Sequence, residues 1–168
     1  MNLLLRYYDV TSGKITIDDV PISEYDTTYS SMTVVRQEAV LFHNPLRNNL
    51  TMHSDVCDDK LVETLKSFVL DRFVNLHSLD TVIAENAANL SGGEKKRICL
   101  TRALLQDTAV LILDEPLANL DENTAKKIED LLLSVSGKLL LVVSHQFSEE
   151  KLPLFDGVIA LKTLLNNL

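Results

Sequence analysis

Two short runs of consecutive apolar residues mark the second half of the chain, at Val110–Leu113 and Leu139–Val143. Runs of this kind are typical of parallel strands that are buried on both faces. Between them, apolar residues recur from Ala125 to Val135 at the three- and four-residue spacing of one helix face. A strand, a helix and a strand in this order predict a βαβ crossover and an α/β fold class.

The same reading predicts further elements on both sides of this unit. In chain order they are a last helical turn at Leu3–Tyr8, a turn at Thr11–Gly13, strands at Lys14–Asp18 and Met32–Val35, a helical stretch from Ser54 to about Leu79, a helix from Ser91 to about Leu105, and a short strand near Val158–Leu161. A length of 168 residues fits one domain with a core of its own.

Composition and charge narrow the class of protein. The formal net charge of −8 argues against general binding of nucleic acid. Cys57 and Cys99 follow no metal-binding spacing, so we expect two reduced thiols. The sequence has no apolar run of the roughly eighteen residues that a membrane span needs, and its start does not fit a signal peptide.

The helix predicted from Ser91 begins with a phosphate-binding type of sequence. Ser91 and Glu94 have the spacing of a capping box, in which each side chain bonds the other residue's backbone N–H. Gly92 and Gly93 would let a ligand approach the free N–H groups and the positive end of the helix. Taken alone, the segment is equally consistent with an ordinary helix start.

Polar residues follow three of the predicted strands. Asp114 and Glu115 end the run at Val110–Leu113, and Gln37 and His145 follow the neighbouring strands. Open α/β sheets bind ligands at this edge. Asp114 suits a Mg²⁺ ligand, directly or through water, and Glu115 suits a base that polarises an attacking water. Each residue also has a plain structural interpretation, as a solvated strand end or a structural histidine.

A common phosphate-binding motif of ATPases is absent from the sequence. G-x-x-x-x-G-K-[ST], the P-loop that wraps backbone N–H groups around phosphates, occurs nowhere in it. Only Gly13 and Gly137 precede a lysine, and neither has the first glycine or the final hydroxyl residue of the motif.

Together, these motifs resemble those of the ATPase domain of ABC transporters, more narrowly of exporters with fused membrane domains. The resemblance extends from Leu3 to Leu161. The matching segments are Leu90–Glu94 (signature motif), Val110–Glu115 (Walker B), Leu120–Asp121 (end of the D-loop), Gln37 (Q-loop), His145 (switch histidine), Thr81–Glu85 (x-loop, departing at Val82 and Ala84), and Leu41–Phe42 with Leu46–Leu50 (the stretch after the Q-loop). Arg36 and Leu117–Asn119 depart from residues common in the family.

The resemblance implies a P-loop NTPase-like fold, in which a parallel sheet core carries a helical subdomain with the signature motif. It assigns about 50–105 to the helical subdomain, and 1–49 and 106–168 to a remnant of the RecA-like core. In the family, the P-loop lies immediately before the segment that matches Leu3–Leu5. We therefore expect a partial domain that lacks the N-terminal strands and the P-loop.

The resemblance also implies a motor domain that couples ATP hydrolysis to transport, with ATP and Mg²⁺ as its ligands. The implied roles are catalysis for Glu115, His145 and Gln37, nucleotide contact for Ser91, Gly92, Gly93, Glu94 and Asp121, and Mg²⁺ binding for Asp114 and Gln37. The implied partners are a second ATPase domain, paired head to tail, and transmembrane domains, with the ATPase on the cytoplasmic face of the membrane. We expect the chain alone to be inactive, and we expect no nucleic-acid partner.

Two alternatives remain open from the sequence. A chromosome-maintenance or DNA-repair ATPase shares signatures of the LSGGE type, but it would show flanking heptads and a basic face, which this sequence lacks. A non-enzymatic partner could instead supply only the signature half of a site to a complete ATPase. The absence of the P-loop permits that second reading.

Overall fold

A parallel sheet of three strands carries the functional end of the molecule. The strands β3 (Met32–Val35), β4 (Val110–Asp114) and β5 (Leu139–Val143) lie in that order, with β4 in the middle. Leu113 of β4 is opposite Val35 of β3 and Val142 of β5. The carboxyl ends of the strands therefore meet at one edge, as expected of an α/β fold.

The computed structural model describes residues 3–24 and 32–159. Before the sheet, β1 (Thr16–Ile17) pairs antiparallel with β2 (Val20–Pro21). The helices are α1 (Leu46–Thr51), α2 (Asp58–Ser67), α3 (Leu76–Leu79), α4 (Gly92–Leu105) and α5 (Glu122–Leu133), with 3-10 turns at Ile22–Glu24, Asp71–Phe73, Glu85–Ala87 and Glu149–Leu154. Within those residues, no helix has the length and apolar character needed to cross a membrane.

The long helix α4 joins the helices to the sheet. It packs against β3 of the sheet and against the helices α1 and α2. Its buried face includes Ile98, Leu100 and Ala103, which share one apolar core with Leu61 and Leu65 of α2. Side chains of this kind stabilise a fold by about 1.5–3 kcal/mol each when fully buried.

Several predicted elements are confirmed. The strands at Met32–Val35, Val110–Leu113 and Leu139–Val143 form, and α4 begins directly after Ser91. Between β4 and β5, α5 supplies the predicted crossover.

The helical stretch predicted from Ser54 to Leu79 is broken into α2, a 3-10 turn and α3. The break comes at Val69, whose φ of +56° lies in the left-handed region and ends the helical path. Asn75 then caps α3, since its side chain accepts a hydrogen bond from the His77 amide at 2.9 Å.

At the two ends of the chain, the observed elements differ from the predicted ones. Leu3–Tyr8 is a hydrogen-bonded turn rather than the end of a helix, with the Arg6 amide donating to the Leu3 carbonyl at 3.1 Å. The strand predicted at Lys14–Asp18 shortens to β1. Val158 and Ile159 are not in a strand, and the remainder of the strand predicted near Val158–Leu161 lies outside the described residues.

The prediction that both apolar runs are buried on two faces holds for β4 and is wrong for β5. Leu111, Ile112 and Leu113 of β4, the central strand, are buried. Along β5, exposed and half-buried residues alternate, and Leu139 is 66% exposed. One face of β5 packs on the core, whereas the other is open to solvent in the described part of the chain.

A buried carboxylate ties α5 to the segment after β5. Glu129, 2% exposed, accepts hydrogen bonds from the Ser148 amide at 2.9 Å and from the Ser148 hydroxyl at 2.9 and 3.2 Å. The Lys151 ammonium lies 3.1 Å from it. Burial raises the pKa of Glu129, but these hydrogen bonds and the charge of Lys151 outweigh burial and hold that pKa below its ordinary value.

We expect Glu129→Gln to lower the free energy of unfolding by about 1–3 kcal/mol at pH 7, because a charge-assisted contact becomes a neutral one. The folded-state pKa is depressed, so the carboxylate stabilises the fold above the unfolded-state pKa of roughly 4.3 and loses that effect as the pH falls through the folded value. The difference between the two proteins should therefore shrink on acidification. Urea denaturation at a series of pH values measures this difference in the free energy of unfolding.

The control is Glu63→Gln, at an exposed position, which should change stability by less than about 0.5 kcal/mol. Equal effects of the two substitutions would contradict the prediction.

Candidate functional site

Glu115 and His145 meet at the carboxyl edge of the sheet. The Glu115 amide donates to the Val143 carbonyl at 2.8 Å, which fixes the backbone just beyond β4 and β5. The Glu115 Oε1 atom lies 2.7 Å from Nδ1 of His145, and the Ser144 hydroxyl donates to Oε2 at 3.4 Å. The structure thus joins two predicted catalytic residues that are distant in sequence.

The two members of this pair differ in exposure. The Glu115 side chain is 15% exposed, whereas that of His145 is 76% exposed. An ionised carboxylate can only accept hydrogen bonds, so Nδ1 of His145 donates to it and Nε2 of a neutral ring is left as an acceptor. The pair therefore presents a carboxylate and an imidazole nitrogen to groups arriving from solvent.

Gln37 and Asp114 lie at the same edge. Asp114 is the last residue of β4, and Gln37 follows β3 by two residues on an exposed segment. Across residues 3–24 and 32–159, neither side chain has a hydrogen-bond partner, and no cluster of three or more His, Cys, Asp or Glu could hold a metal. A carboxylate and an amide oxygen still fit Mg²⁺, because this ion usually takes one or two protein oxygens together with water and substrate phosphates.

The predicted capping box at the start of α4 is confirmed. The Glu94 amide donates to the Ser91 hydroxyl at 3.2 Å, and the Ser91 amide donates to the Glu94 carboxylate at 2.8 Å. The other Glu94 oxygen lies 2.8 Å from Nε of Arg72. Burial raises the pKa of Glu94, but the Ser91 hydrogen bonds and the charges of Arg72 and Arg97 outweigh it and lower the pKa. The Glu94 carboxylate is thus already engaged in shaping the helix start.

A cleft opens between the start of α4 and the segment before α5. It has a volume of about 530 Å³ and is lined by Ser91, Gly92, Gly93, Arg97, Asn119, Leu120 and Asp121. Asp121 caps α5, since its carboxylate accepts a hydrogen bond from the Thr124 amide at 3.0 Å. Hydrogen bonding from Thr124 holds the pKa of Asp121 below its ordinary value. The structure therefore brings four of the five predicted nucleotide-contacting residues to one cleft.

Gly93 is the point of closest approach across this cleft. A Cβ atom at position 93 would lie 3.1 Å from the Asn119 carbonyl oxygen and 3.4 Å from Cδ2 of Leu120. At position 92, the nearest atom would be Cβ of Asn119 at 3.9 Å, an ordinary contact. A side chain at position 93 would therefore press on the Asn119 carbonyl, and one at position 92 would not.

Two basic residues of α4, Lys96 and Arg97, lie beside the predicted site residues and were given no role from the sequence. Lys96 is 1% exposed, and burial lowers the pKa of its ammonium, partly offset by the nearby carboxylates of Asp114 and Glu115. Arg97 donates to the Gly93 carbonyl at 3.3 Å and to the Val69 carbonyl at 2.7 Å. The sequence spacing does indicate that Lys96 is buried. Lys96 precedes Leu100 and Ala103 by four and seven residues and therefore lies on the same buried helix face.

Comparison with known proteins shows the family to which the chain is related. The sequence model of the family described as ABC transporter matches residues 1–118. Over 151 residues, the chain is 34% identical to the ABC transporter ATM1 of Plasmodium falciparum, an alignment that covers 86% of this chain and 14% of the relative. Over 154 residues, it is 36% identical to the ATP-dependent lipid A-core flippase of Syntrophus aciditrophicus, with 88% of this chain and 26% of the relative covered.

Two further matches also cover most of this chain and a minor part of the matched protein. The mating factor M secretion protein mam1 of Schizosaccharomyces pombe is 38% identical over 155 residues, with 89% of this chain and 12% of the relative covered. A solved structure of a bacterial Atm1-family ABC exporter with ATP bound superposes with a TM-score of 0.78 at 26% identity, covering 86% of this chain and 27% of that one. The chain thus spans about a quarter or less of the length of these relatives.

We expect Gly93→Ala to be less stable than Gly92→Ala by about 1 kcal/mol, because only the former forces a backbone carbonyl to move. Asn119, which that methyl group would meet, already has a φ of +64° and leaves the segment little freedom to adjust. Urea denaturation of the two variants side by side measures the difference. Equal stabilities would mean that the segment before α5 yields without cost.

Proposed function

Because the chain belongs to the ABC transporter family and matches exporters within it, we propose that it is part of the ATP-hydrolysing motor that drives such an exporter. The observation that carries the proposal is the Glu115–His145 pair at the end of β4 and β5, beside Asp114 and Gln37. A buried strand that delivers a carboxylate to a solvent-facing imidazole is suited to activating water.

In this proposal Glu115 acts as the base that polarises the attacking water, and its backbone bond to Val143 holds it at the edge of the sheet. His145 Nε2, left free by the bond at Nδ1, orients the water and the terminal phosphate. Asp114 and Gln37 would hold Mg²⁺ through their side-chain oxygens. When bound, Mg²⁺ neutralises charge on the phosphates of ATP.

The cleft at the start of α4 would contact a nucleotide that is held mainly by a second ATPase domain. Ser91, Gly92 and Gly93 offer small side chains and free N–H groups at the positive end of a helix of 14 residues. Asp121 lies across the cleft, and Glu94 contributes by fixing the Ser91 hydroxyl. Pairing of the two domains head to tail would complete the site.

The relatives' names support the remaining partners. One is a flippase, one a secretion protein and one a transporter, so transmembrane domains and a place on the cytoplasmic face of the membrane belong to the proposal. The names differ in what is moved, and the flippase's name states that it depends on ATP. The division into a helical subdomain at about 50–105 and core segments at 1–49 and 106–168 is also proposed, supported by the packing of α2 on α4.

A second function is favoured by one observation. The cleft at Ser91–Gly93 and Asp121 is fully formed in a sequence that contains no P-loop motif. Such a chain could supply its cleft to a complete ATPase without hydrolysing ATP at a site of its own. Stimulation of a complete ATPase domain by the added chain, lost in Ser91→Arg, would favour this function over the first.

We predict that the 168 residues alone bind Mg-ATP weakly and do not hydrolyse it. The P-loop and its lysine supply most contacts to the β- and γ-phosphates in this class of enzyme. A dissociation constant of roughly millimolar or weaker, equivalent to about −4 kcal/mol, is expected from titration calorimetry. Micromolar binding by the monomer would contradict the prediction.

We predict that joining a P-loop segment from a relative to the chain restores ATP hydrolysis, with a rate that rises as the square of protein concentration when the protein is dilute. Glu115→Gln should then reduce turnover by about 10²–10⁴, the usual cost of losing a general base, while ATP binding is retained. His145→Ala should act in the same direction.

The controls for this experiment are Glu63→Gln and His77→Ala, which make the same chemical changes at exposed positions away from the sheet edge. They should leave turnover unchanged. Ser91→Arg should remain monomeric with ATP present, whereas Glu115→Gln should accumulate ATP-bound dimers. Near-normal turnover of Glu115→Gln would refute its assignment as the base.

A further inference from the structure

A single ammonium group in the interior connects the two segments that carry the predicted catalytic and Mg²⁺-binding residues. Nζ of Lys96 donates to the Arg36 carbonyl at 2.9 Å, to the Gln37 carbonyl at 2.8 Å and to the Asp114 carbonyl at 3.4 Å. The first two acceptors belong to the segment after β3, and the third is the end of β4. The lysine itself lies on α4, so three elements converge on one charge.

The three protons of the ammonium match the three carbonyl acceptors. A charge that is 1% exposed is costly to bury, and main-chain carbonyls compensate it only when they are held in place around it. The adjacent Lys95 has the same chemistry in another setting. It is only partly buried, and its Nζ donates to a single carbonyl, that of Asn86, at 2.9 Å.

We propose that Lys96 is a positioning residue for the ATPase site: it holds the Gln37 segment and the Asp114–Glu115 end of β4 in one arrangement. The inference rests on the proposed function, since it assigns a task to the residues named there. With the Gln37 carbonyl directed at α4, the side chain of Gln37 is free to reach the edge of the sheet. The Asp114 carbonyl belongs to the peptide unit that leads into Glu115, so its contact with Lys96 constrains where the Glu115 backbone begins.

The helix that carries Lys96 also begins at the cleft described above. Ser91 caps α4 five positions before Lys96, so about one and a half helical turns separate the two residues. One helix therefore borders both the Ser91–Gly93 cleft and the Gln37 and Asp114 carbonyls.

The first test uses the chain joined to a P-loop segment. Lys96→Met keeps an unbranched apolar side chain of the length of the lysine stem and removes all three donors, and Lys95→Met makes the same change one position away. We expect Lys96→Met to lower kcat by at least about tenfold, with KM for ATP changed less than about threefold. The Mg²⁺ concentration at half-maximal activity should rise by about fivefold or more, because Asp114 and Gln37 are the proposed ligands. Lys95→Met should match the parent in all three values.

The second test uses the 168-residue chain itself and needs no hydrolysis. Amide hydrogen exchange at Glu115, whose N–H donates to the Val143 carbonyl, should be at least about tenfold faster in Lys96→Met than in Lys95→Met, with the rest of β4 unaffected. Lys96→Gln retains an amide donor and should lie between the parent and Lys96→Met. If Lys96→Met fails to fold, Lys96→Gln decides both tests.

The outcomes separate the two hypotheses. A joined protein that does not hydrolyse ATP, or in which Glu115→Gln remains active, overturns the proposed function, and the exchange result then decides whether Lys96 holds the two segments. An active joined protein in which Lys96→Met keeps its kcat and Mg²⁺ dependence overturns the positioning role. Exchange rates equal to those of Lys95→Met also overturn it.

Discussion

The pairing of β4 with a parallel strand on each side is the constraint on which the functional end of the molecule depends. Because Leu113 is in register with Val35 and Val142, the three strands end together, and the residues that follow them share one edge. A shift of the register by one residue would turn Glu115 to the opposite face and break its bonds to Val143 and His145. The chemistry proposed at this edge is thus a consequence of apolar strand packing.

Two residues of the proposed site have an unfavourable backbone conformation. Glu115 has a φ of +47° and Asn119 a φ of +64°, in a region that non-glycine residues rarely occupy. Each such residue costs on the order of 1–3 kcal/mol and persists only where its surroundings hold it. At Glu115 the surroundings are the backbone bond to Val143 and the contact with His145, so the conformation that presents the carboxylate is itself held by the sheet edge.

The sequence was informative where a motif coincided with a strong periodic pattern. Asp114, Glu115 and His145 could be located because each follows a short apolar run, and Ser91 because a capping box opens a long helix. It was misleading where burial depends on distant residues. Leu139 belongs to a run as apolar as that of β4, yet it is exposed, because its face of β5 is left uncovered by the described residues, whereas both faces of β4 are covered.

Lys96 shows a second limit of prediction from the sequence. Three consecutive basic residues, Lys95, Lys96 and Arg97, suggest a solvated helix face, and only their position relative to Leu100 and Ala103 distinguishes the middle one. The carbonyls that compensate its charge come from residues about 60 and 18 positions away in the chain. No local pattern reveals acceptors at such a separation, so the role of Lys96 became visible only in three dimensions.

The solvent-facing side of β5 has a thermodynamic consequence. Each square ångström of apolar surface that is covered contributes about 25 cal/mol, so any chain that packs over Leu139, Leu141 and Val143 binds the folded state and not the unfolded one. By mass action, such a partner raises the melting temperature in proportion to the logarithm of its concentration once its site is saturated. The stability of this domain therefore depends on the concentration of such a partner as well as on its own sequence.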